Sequence, residues 1–230
     1  MNIWEKFWEQ FYTYKGYLDV IEGLYHTLLI AVLGLLIGMV IGSIIAAVKV
    51  AGTRNKIANV FSKIGDVYIA LFRGTPIVVQ LLIFYYILFP ALNINIDGLA
   101  VAIITYGFNS GAYVAEIMRG GINSIDIGQT EAGRCLGLSF SATMFKIVLP
   151  QAIKNVLPTL GNELIALVKD TSVVGFVATV DLTKAFQSIA SANYEYIVPY
   201  LILALCYLVL VLLITVLIRV VEGRLKRSER

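Results

Sequence analysis

The chain has 230 residues, of which 59% are hydrophobic and 14% charged, with a formal net charge of +3 at pH 7. Its mean hydropathy of +0.83 excludes a soluble globular domain of this length, so lipid is the expected solvent for most of the chain. Because the two cysteines lie in unlike settings, a polar loop and an apolar run, we expect neither a disulfide nor a metal site. We also expect no nucleic acid partner.

Runs without Asp, Glu, Lys or Arg mark the predicted membrane spans. Such runs occupy residues 23–48, 74–96, 98–115 and 196–218. An apolar helix needs about 20 residues to cross about 30 Å of hydrocarbon, and these runs reach or approach that length. A fifth apolar stretch, 155–180, is interrupted by Glu163, Lys169 and Asp170. The runs lack the alternation of a membrane β-strand, so the sequence predicts an all-α integral membrane protein with about five transmembrane helices.

The distribution of charge predicts the orientation. Five basic residues between the first two spans oppose one acid, and the segment from Arg219 to the C-terminus carries five basic residues and two acids. Positively charged loops stay in the cytoplasm, so we predict an outer N-terminus and a cytoplasmic C-terminus. The predicted organisation is an outer interfacial aromatic segment at 1–18, a transmembrane domain at 19–222 and a basic cytoplasmic tail at 223–230.

The outer segment carries Trp4, Phe7, Trp8 and Phe11 at helical spacing. Aromatic side chains on one face of a helix favour a position in the membrane interface, at headgroup depth. The only histidine, His26, falls at the start of the first span and is interpreted as an interfacial side chain.

The first span presents Gly34, Gly38 and Gly42 on one face. A repeated pattern of small residues lets a second membrane helix approach closely. The pattern predicts close helix packing and carries no information on function.

The second span contains a predicted break in "FRGTPIVVQ", residues 72–80. The helical pattern around it would extend about 50 Å at 1.5 Å per residue, too long for one straight crossing. Gly74 loosens the helix, Thr75 can cap a new helix and Pro76 suits its first turn. Two interpretations stay open: a kink that serves packing, or a discontinuous helix whose positive N-terminal end faces a substrate anion.

A loop at about 120–155 follows the third span and is predicted on the cytoplasmic side. Asp126 and Gln129 have the spacing of a capping box, which predicts a short helix from about Ile127 to Leu136.

Three residues predict the remaining helix ends in this loop. Gly137 is expected to end the first short helix, Ser139 to cap a second one and Pro150 to close it. Two short helices beside membrane spans form a projecting elbow, which a cytoplasmic partner could bind.

The elbow carries the pattern E-A-G-x3-G-x9-I-x-L-P at 131–150, which resembles the EAA loop of ABC importer permeases. Other stretches resemble the polar amino acid branch of that family, and they are "FRGTP" (72–76), "GAYVAEIMRGGI" (111–122), "GQTEAGRCLGLS" (128–139) and "KDTSV" (169–173). The resemblance covers about residues 20 to 220.

The resemblance implies a permease subunit of a prokaryotic cell membrane with a cytoplasmic coupling-helix loop. The implied partners are ABC ATPase subunits, a second permease copy and an extracytoplasmic amino acid-binding protein. Glu131, Ala132, Gly133 and Gly137 are carried over as ATPase-coupling residues, and Gly133, in place of the usual second alanine, is expected to loosen the first coupling helix. The chain has no GxxxxGK[ST] loop, so ATP and Mg²⁺ are expected on the partner and no catalytic residue or cofactor in this chain.

Two acids in the fifth apolar stretch are the main candidates for substrate binding. Glu163 lies well inside it, and Asp170 follows seven residues later on the same helix face. An acid near the membrane centre costs about 3 kcal/mol on insertion scales. Two interpretations of Glu163 stay open: a pair with a donor on a neighbouring helix, or a ligand site that faces a cavity. Weaker candidates for the substrate site are Asn162, Thr171, Ser172, Gly74 and Thr75.

The charge of this face suggests a substrate class. The carboxylate and ammonium of a free amino acid cancel, so two acids leave excess negative charge unless the substrate carries another cation. We therefore predict basic amino acids, arginine before lysine or histidine, because a guanidinium meets a carboxylate with two parallel bonds. If Lys169 neutralises Asp170, Glu163 would bind any α-ammonium group, and glutamine or other polar amino acids would serve as well.

Two other functions are less well supported. Ser110 in "GFNSGAY" (107–113) loosely resembles the nucleophile of an intramembrane serine protease, but that chemistry needs a base and His26 is predicted far from it. Intramembrane acids could couple protons in a secondary transporter, but five spans without an internal repeat and a docking elbow argue against it.

Overall fold

Helices joined by short turns build the chain, and the computed structural model describes residues 2–52, 56–192 and 194–227, with no strand among them. The helices are α1 (Ile3–Trp8), α2 (Gly16–Gly52), α3 (Lys56–Gly74), α4 (Ile77–Ile83), α5 (Phe89–Ala91), α6 (Gly98–Asn123), α7 (Ile127–Cys135), α8 (Phe140–Thr143), α9 (Leu149–Asp170), α10 (Leu182–Ala192) and α11 (Ile197–Arg227). The predicted all-α membrane fold is confirmed. Residues 53–55 of the predicted basic loop and 228–230 of the predicted tail lie outside the described residues.

Within the described residues, α2, α6 and α11 are long and apolar enough to cross a membrane. A fourth crossing results if α3 and the helical segment from Ile77 to Ala91 are taken together, although they are bent by 107°. The fifth predicted span corresponds to α9, whose polar residues lower its hydropathy below that of the others. Because α9 packs against α2, α6 and α11, it needs less apolar surface than a helix surrounded by lipid.

The predicted glycine face of α2 is confirmed as the contact with α6. A Cβ atom on Gly38 would lie 2.7 Å from the Ser110 Cβ, and one on Gly42 would lie 2.7 Å from the Ala115 backbone nitrogen. Only glycine permits the two helices to lie this close. The close van der Waals contact stabilises their association in lipid, where the hydrophobic effect does not drive it.

The N-terminal segment packs on the end of the bundle that carries α10. Phe7 is only 3% exposed and lies in a cluster with Leu182, Phe186, Ile189 and Val198. Trp4 and Trp8 remain exposed. One aromatic residue of this segment therefore packs in the core, and the two tryptophans lie on the exposed surface of the protein.

The elbow confirms most of the predicted helix ends. The Asp126 carboxylate accepts a hydrogen bond from the Gly128 backbone N–H at 2.7 Å, α7 ends at Cys135, and Gly137 has a left-handed φ of +77°. Ser139 Oγ accepts from the Ala142 backbone N–H at 3.2 Å. These ends follow from chemistry within a few residues of each cap.

The predicted helix end at Pro150 is wrong. The chain stays helical from α8 through a π-helical turn at Met144–Val148 into α9. The wider turn lies directly before the proline and accommodates the ring and the missing N–H, so the helix continues instead of stopping.

Candidate functional site

The predicted break in the second span is present between Gly74 and Ile77. Pro76, with φ −63° and ψ 139°, is the N-cap of α4 and no side chain caps that helix. The prediction that Thr75 caps α4 is wrong, because its hydroxyl donates to the Leu71 carbonyl oxygen at 2.8 Å and so closes the end of α3. Proline restricts the residue before it to extended conformations. The break therefore falls at Thr75 and Pro76.

Two buried side-chain amides fix the break against α6, and the sequence analysis did not identify them. Gln80 Nε2 donates to the Phe72 carbonyl oxygen and to Thr75 Oγ1, both at 2.8 Å. Asn109 Nδ2 in turn donates to Gln80 Oε1 at 2.9 Å. Each amide lies inside a charge-free run of the sequence. This could have identified both residues, because amides buried in such runs need hydrogen-bond partners.

Arg73 lies in the last turn of α3, next to this network. The sequence alone did not reveal this position. The Arg73 guanidinium lies 5.2 Å from the centre of the Tyr113 ring on α6, within the range of a cation–π interaction. Arg73 also attracts the Glu163 carboxylate electrostatically. The break thus brings a cation towards Glu163 of α9.

The two acids of α9 lie near each other beside α6. Glu163 is half-buried and Asp170 exposed, and Asp170 repels Glu163 electrostatically. Tyr106 Oη donates to the Asp170 main-chain carbonyl oxygen at 2.5 Å, which fixes this end of α9 to α6. Among the described residues, Glu163 forms no ion pair within 4.0 Å, and Ser110 is its hydroxyl neighbour.

The weaker candidates lie in three different settings. Asn162 is exposed. Thr171 is fully buried, and its hydroxyl donates to the Val168 carbonyl oxygen at 2.7 Å, so it has no surface open to a ligand in this conformation. Ser172 borders a polar recess of about 360 Å³ that also includes Asp181 and Lys184.

Asp181, at the base of that recess, caps α10. Its carboxylate accepts hydrogen bonds from the backbone N–H groups of Thr183 at 2.9 Å and Lys184 at 3.1 Å. Burial raises the pKa of this carboxyl, and those two donors act in the opposite direction. His26 of α2 is half-buried, and its Nδ1 donates to the Val180 carbonyl oxygen at 2.8 Å. This bond holds the segment between α9 and α10 against α2.

The residues predicted to couple to an ATPase lie on the elbow. Glu131, Ala132 and Gly137 are exposed, whereas Gly133 is buried. A Cβ on Gly133 would lie 2.7 Å from both Cγ2 and Oγ1 of Thr143. The glycine therefore brings α7 into close contact with α8, a role beyond the expected loosening of the helix.

The exposed surface of the elbow is also apolar. Leu136 is 80% exposed, Ile127 73% and Phe145 70%. Large apolar side chains at such exposure, next to an exposed acid, indicate a surface suited to a protein partner.

Four charges join α2, α3 and α6 before α6 leads into the elbow. Lys49 Nζ lies 2.5 Å from Asp66 Oδ1 and 3.4 Å from Glu116 Oε1, and Arg119 Nη2 lies 2.7 Å from Glu116 Oε2. The cluster is partly buried and electrically balanced. It connects α3, which precedes the break, to α6, which precedes the elbow.

Comparison with known proteins agrees with this geometry. Residues 34–227 match the family model of binding-protein-dependent transport system inner membrane components. The chain is 38% identical to a putative glutamine transport system permease protein of Rickettsia bellii, over 90% of this chain and 93% of the relative. It is 39% identical to the arginine transport system permease protein ArtQ of Bacillus subtilis, over 91% of this chain and 94% of the relative.

A solved structure gives the same result at the level of the fold. The chain resembles a crystal structure of an amino acid ABC transporter with histidines, with a TM-score of 0.83 and 37% identity. The similarity covers 92% of this chain and 96% of that one. The family match at residues 34–227 includes the break, the acids of α9 and the elbow.

Proposed function

The chain belongs to the family of binding-protein-dependent transport system inner membrane components and is an amino acid ABC importer permease, and we propose that its preferred substrates are basic amino acids, arginine first. Glu163 carries this proposal, because it is a half-buried acid without an ion-pair partner within 4.0 Å among the described residues.

The charges around the break complement those of a basic amino acid. Arg73 supplies one positive charge, and Glu163 and Asp170 supply two negative charges. Arginine, lysine and protonated histidine carry one carboxylate and two cations, so every charged group of the substrate meets an opposite one. Glutamine has one cation fewer and leaves one acid without a partner, which is costly in a partly desolvated site.

The substrate carboxylate would lie at the break. Arg73 provides the cation, and main-chain N–H groups around Gly74, Thr75 and the start of α4 provide further donors. The Thr75 hydroxyl is already bonded to Leu71, so its backbone is the better candidate. Asn162 and Ser172 are exposed and suit the entrance of the pathway, whereas Thr171 would need a change of conformation to take part.

Known relatives support both substrate classes. One is named for arginine and one solved transporter contains histidines, whereas others are named for glutamine. Glutamine and other polar amino acids are the second candidate, favoured if Lys169, which attracts the Asp170 carboxylate, neutralises that acid.

Transport would proceed by alternating access driven from the cytoplasm. We place ABC ATPase subunits, with their ATP and Mg²⁺, on the 131–150 elbow, and a second permease copy, identical or closely related, beside this chain. An extracytoplasmic binding protein would deliver the amino acid from the outer side. The N-terminus would be outside and the C-terminus cytoplasmic, as the positive loops predict.

Uptake into reconstituted vesicles containing the partner ATPase and binding protein tests the substrate. We expect arginine uptake to exceed glutamine uptake, and Glu163→Gln to lower kcat/KM for arginine by about ten-fold or more, equivalent to about 1.4 kcal/mol. Glu22→Gln, which changes an exposed acid near the start of α2, is the matched control. The charge argument is wrong if glutamine competes as well as arginine, or if Glu163→Gln leaves arginine uptake intact.

A further inference from the structure

Ser110 is an unusual residue of the bundle core. It is completely buried, and its Oγ is the one buried side-chain nitrogen or oxygen without a hydrogen bond among the described residues. A buried hydroxyl without a partner is unfavourable and rare in folded proteins, so each instance calls for an explanation. The sequence analysis considered Ser110 only as a nucleophile, and the proposed function does not use it.

The surroundings of Ser110 are defined on the side of α2. A Cβ on Gly38 would lie 2.7 Å from both Cβ and Oγ of Ser110. A larger residue at position 38 would displace the hydroxyl or separate the helices. The glycine therefore keeps the serine hydroxyl at the junction of α2 and α6.

The register of α6 against α9 places Glu163 on the other side. The two helices are antiparallel: Tyr106 is bonded to Asp170 at one end, and Gly121 is packed on Val156 at the other. Between these contacts, Glu163 falls at the level of Tyr113, about one helical turn from Ser110. The Ser110 hydroxyl lies close enough to act as a donor to the Glu163 carboxylate, although outside standard hydrogen-bond geometry.

We propose that Ser110 is a positioning residue whose O–H donates to one oxygen of Glu163 when substrate binds, which directs the other oxygen to the substrate's cation. The inference rests on the proposed role of Glu163. A neutral donor suits this task because it fixes the carboxylate without cancelling its charge, as an ion pair would. The unpartnered hydroxyl is then a donor held ready for the substrate-bound state.

This role makes an unusual prediction about stability. Ser110→Ala removes an unsatisfied polar atom, so the Tm of the protein in detergent should stay the same or rise. The same variant should raise KM for arginine about ten-fold, because Glu163 loses its fixed orientation. A residue that served only to hold the helices together would instead lower Tm when replaced.

The control is Thr105→Val on the same helix. Thr105 is equally buried, but its hydroxyl donates to the Val101 carbonyl oxygen of its own helix at 2.8 Å, so KM should not change. Ser110→Cys, which keeps a weak donor, should give a KM between those of wild type and Ser110→Ala, and serves if the alanine variant does not fold.

A double-mutant cycle separates the two proposals. In a Glu163→Gln background, Ser110→Ala should have no further effect on KM, because both changes remove the same oriented carboxylate. A wild-type KM for Ser110→Ala, or effects that multiply in the double variant, would overturn the positioning role alone. If Glu163→Gln by itself leaves arginine uptake unchanged, the proposed function fails first, and this inference fails with it.

Discussion

The side-chain amide of Gln80 donates to the main-chain carbonyl oxygen of Phe72 at 2.8 Å and so connects the two helices on either side of the break. The last carbonyl groups of a helix have no partner within it, and Phe72 lies in the final turn of α3. A bend of 107° in the second span is thus compatible with burial, because a side chain supplies the missing donor.

We predict that Gln80→Leu lowers the free energy of unfolding by about 1–3 kcal/mol. It removes the short bonds that Gln80 forms with the Phe72 carbonyl and the Asn109 amide, and leaves those two groups only their long bond of 3.4 Å to each other. Thermal unfolding in detergent measures the change. Gln187→Leu, at an exposed position of α10, should have a much smaller effect. Equal Tm values for the two variants would contradict the role assigned to Gln80.

The close contact between α2 and α6 predicts opposite effects for two glycines. Gly42→Ala should destabilise the protein by about 1–3 kcal/mol, because its Cβ would lie 2.7 Å from the backbone nitrogen of Ala115, which cannot easily move. Gly120→Ala meets no atom within 4 Å and should stabilise α6 by up to about 1 kcal/mol through helix propensity. A comparison of Tm for both variants checks this, and destabilisation of equal size would show that the glycine contact does not limit helix approach.

The charge cluster at the start of the elbow should depend on salt. Glu116→Gln removes the partner shared by Lys49 and Arg119 and should lower stability by about 1–3 kcal/mol at low ionic strength. The loss should shrink at high salt, because partly exposed charges are screened. Tm at two salt concentrations measures this, with Glu22→Gln as control, and a loss independent of salt would indicate packing instead of charge.

Glu131 on the elbow should couple ATP hydrolysis by the partner to substrate transport. Glu131 is exposed, so Glu131→Lys should insert and fold normally. It should lose substrate-stimulated ATP hydrolysis by the partner, because removal of one partner of a buried interface charge pair typically costs about 2–5 kcal/mol. Glu131→Gln should be less impaired. Unchanged stimulation in the lysine variant would exclude Glu131 from the coupling contact.

Local chemistry allowed the sequence to predict the helices and several of their ends. Asp126, Ser139 and Gly137 act on backbone groups within a few residues of themselves, so their roles hold whatever packs around them. The glycine face of α2 was also predictable from its spacing. The coupling residues followed from a fixed motif, and their function stays a prediction that the experiments above address.

Contacts between helices were decided only by the tertiary structure. Thr75 was assigned wrongly, because its hydroxyl donates to Leu71 in α3 and accepts from Gln80 of α4 across the break. Pro150 could not be placed without knowledge of the π-helical turn before it. Ser110, Gly38 and Glu163 meet because three helices pack in one register. The hydropathy pattern of this sequence is compatible with many arrangements of its apolar helices. The partners of a buried polar atom, by contrast, depend on one specific arrangement.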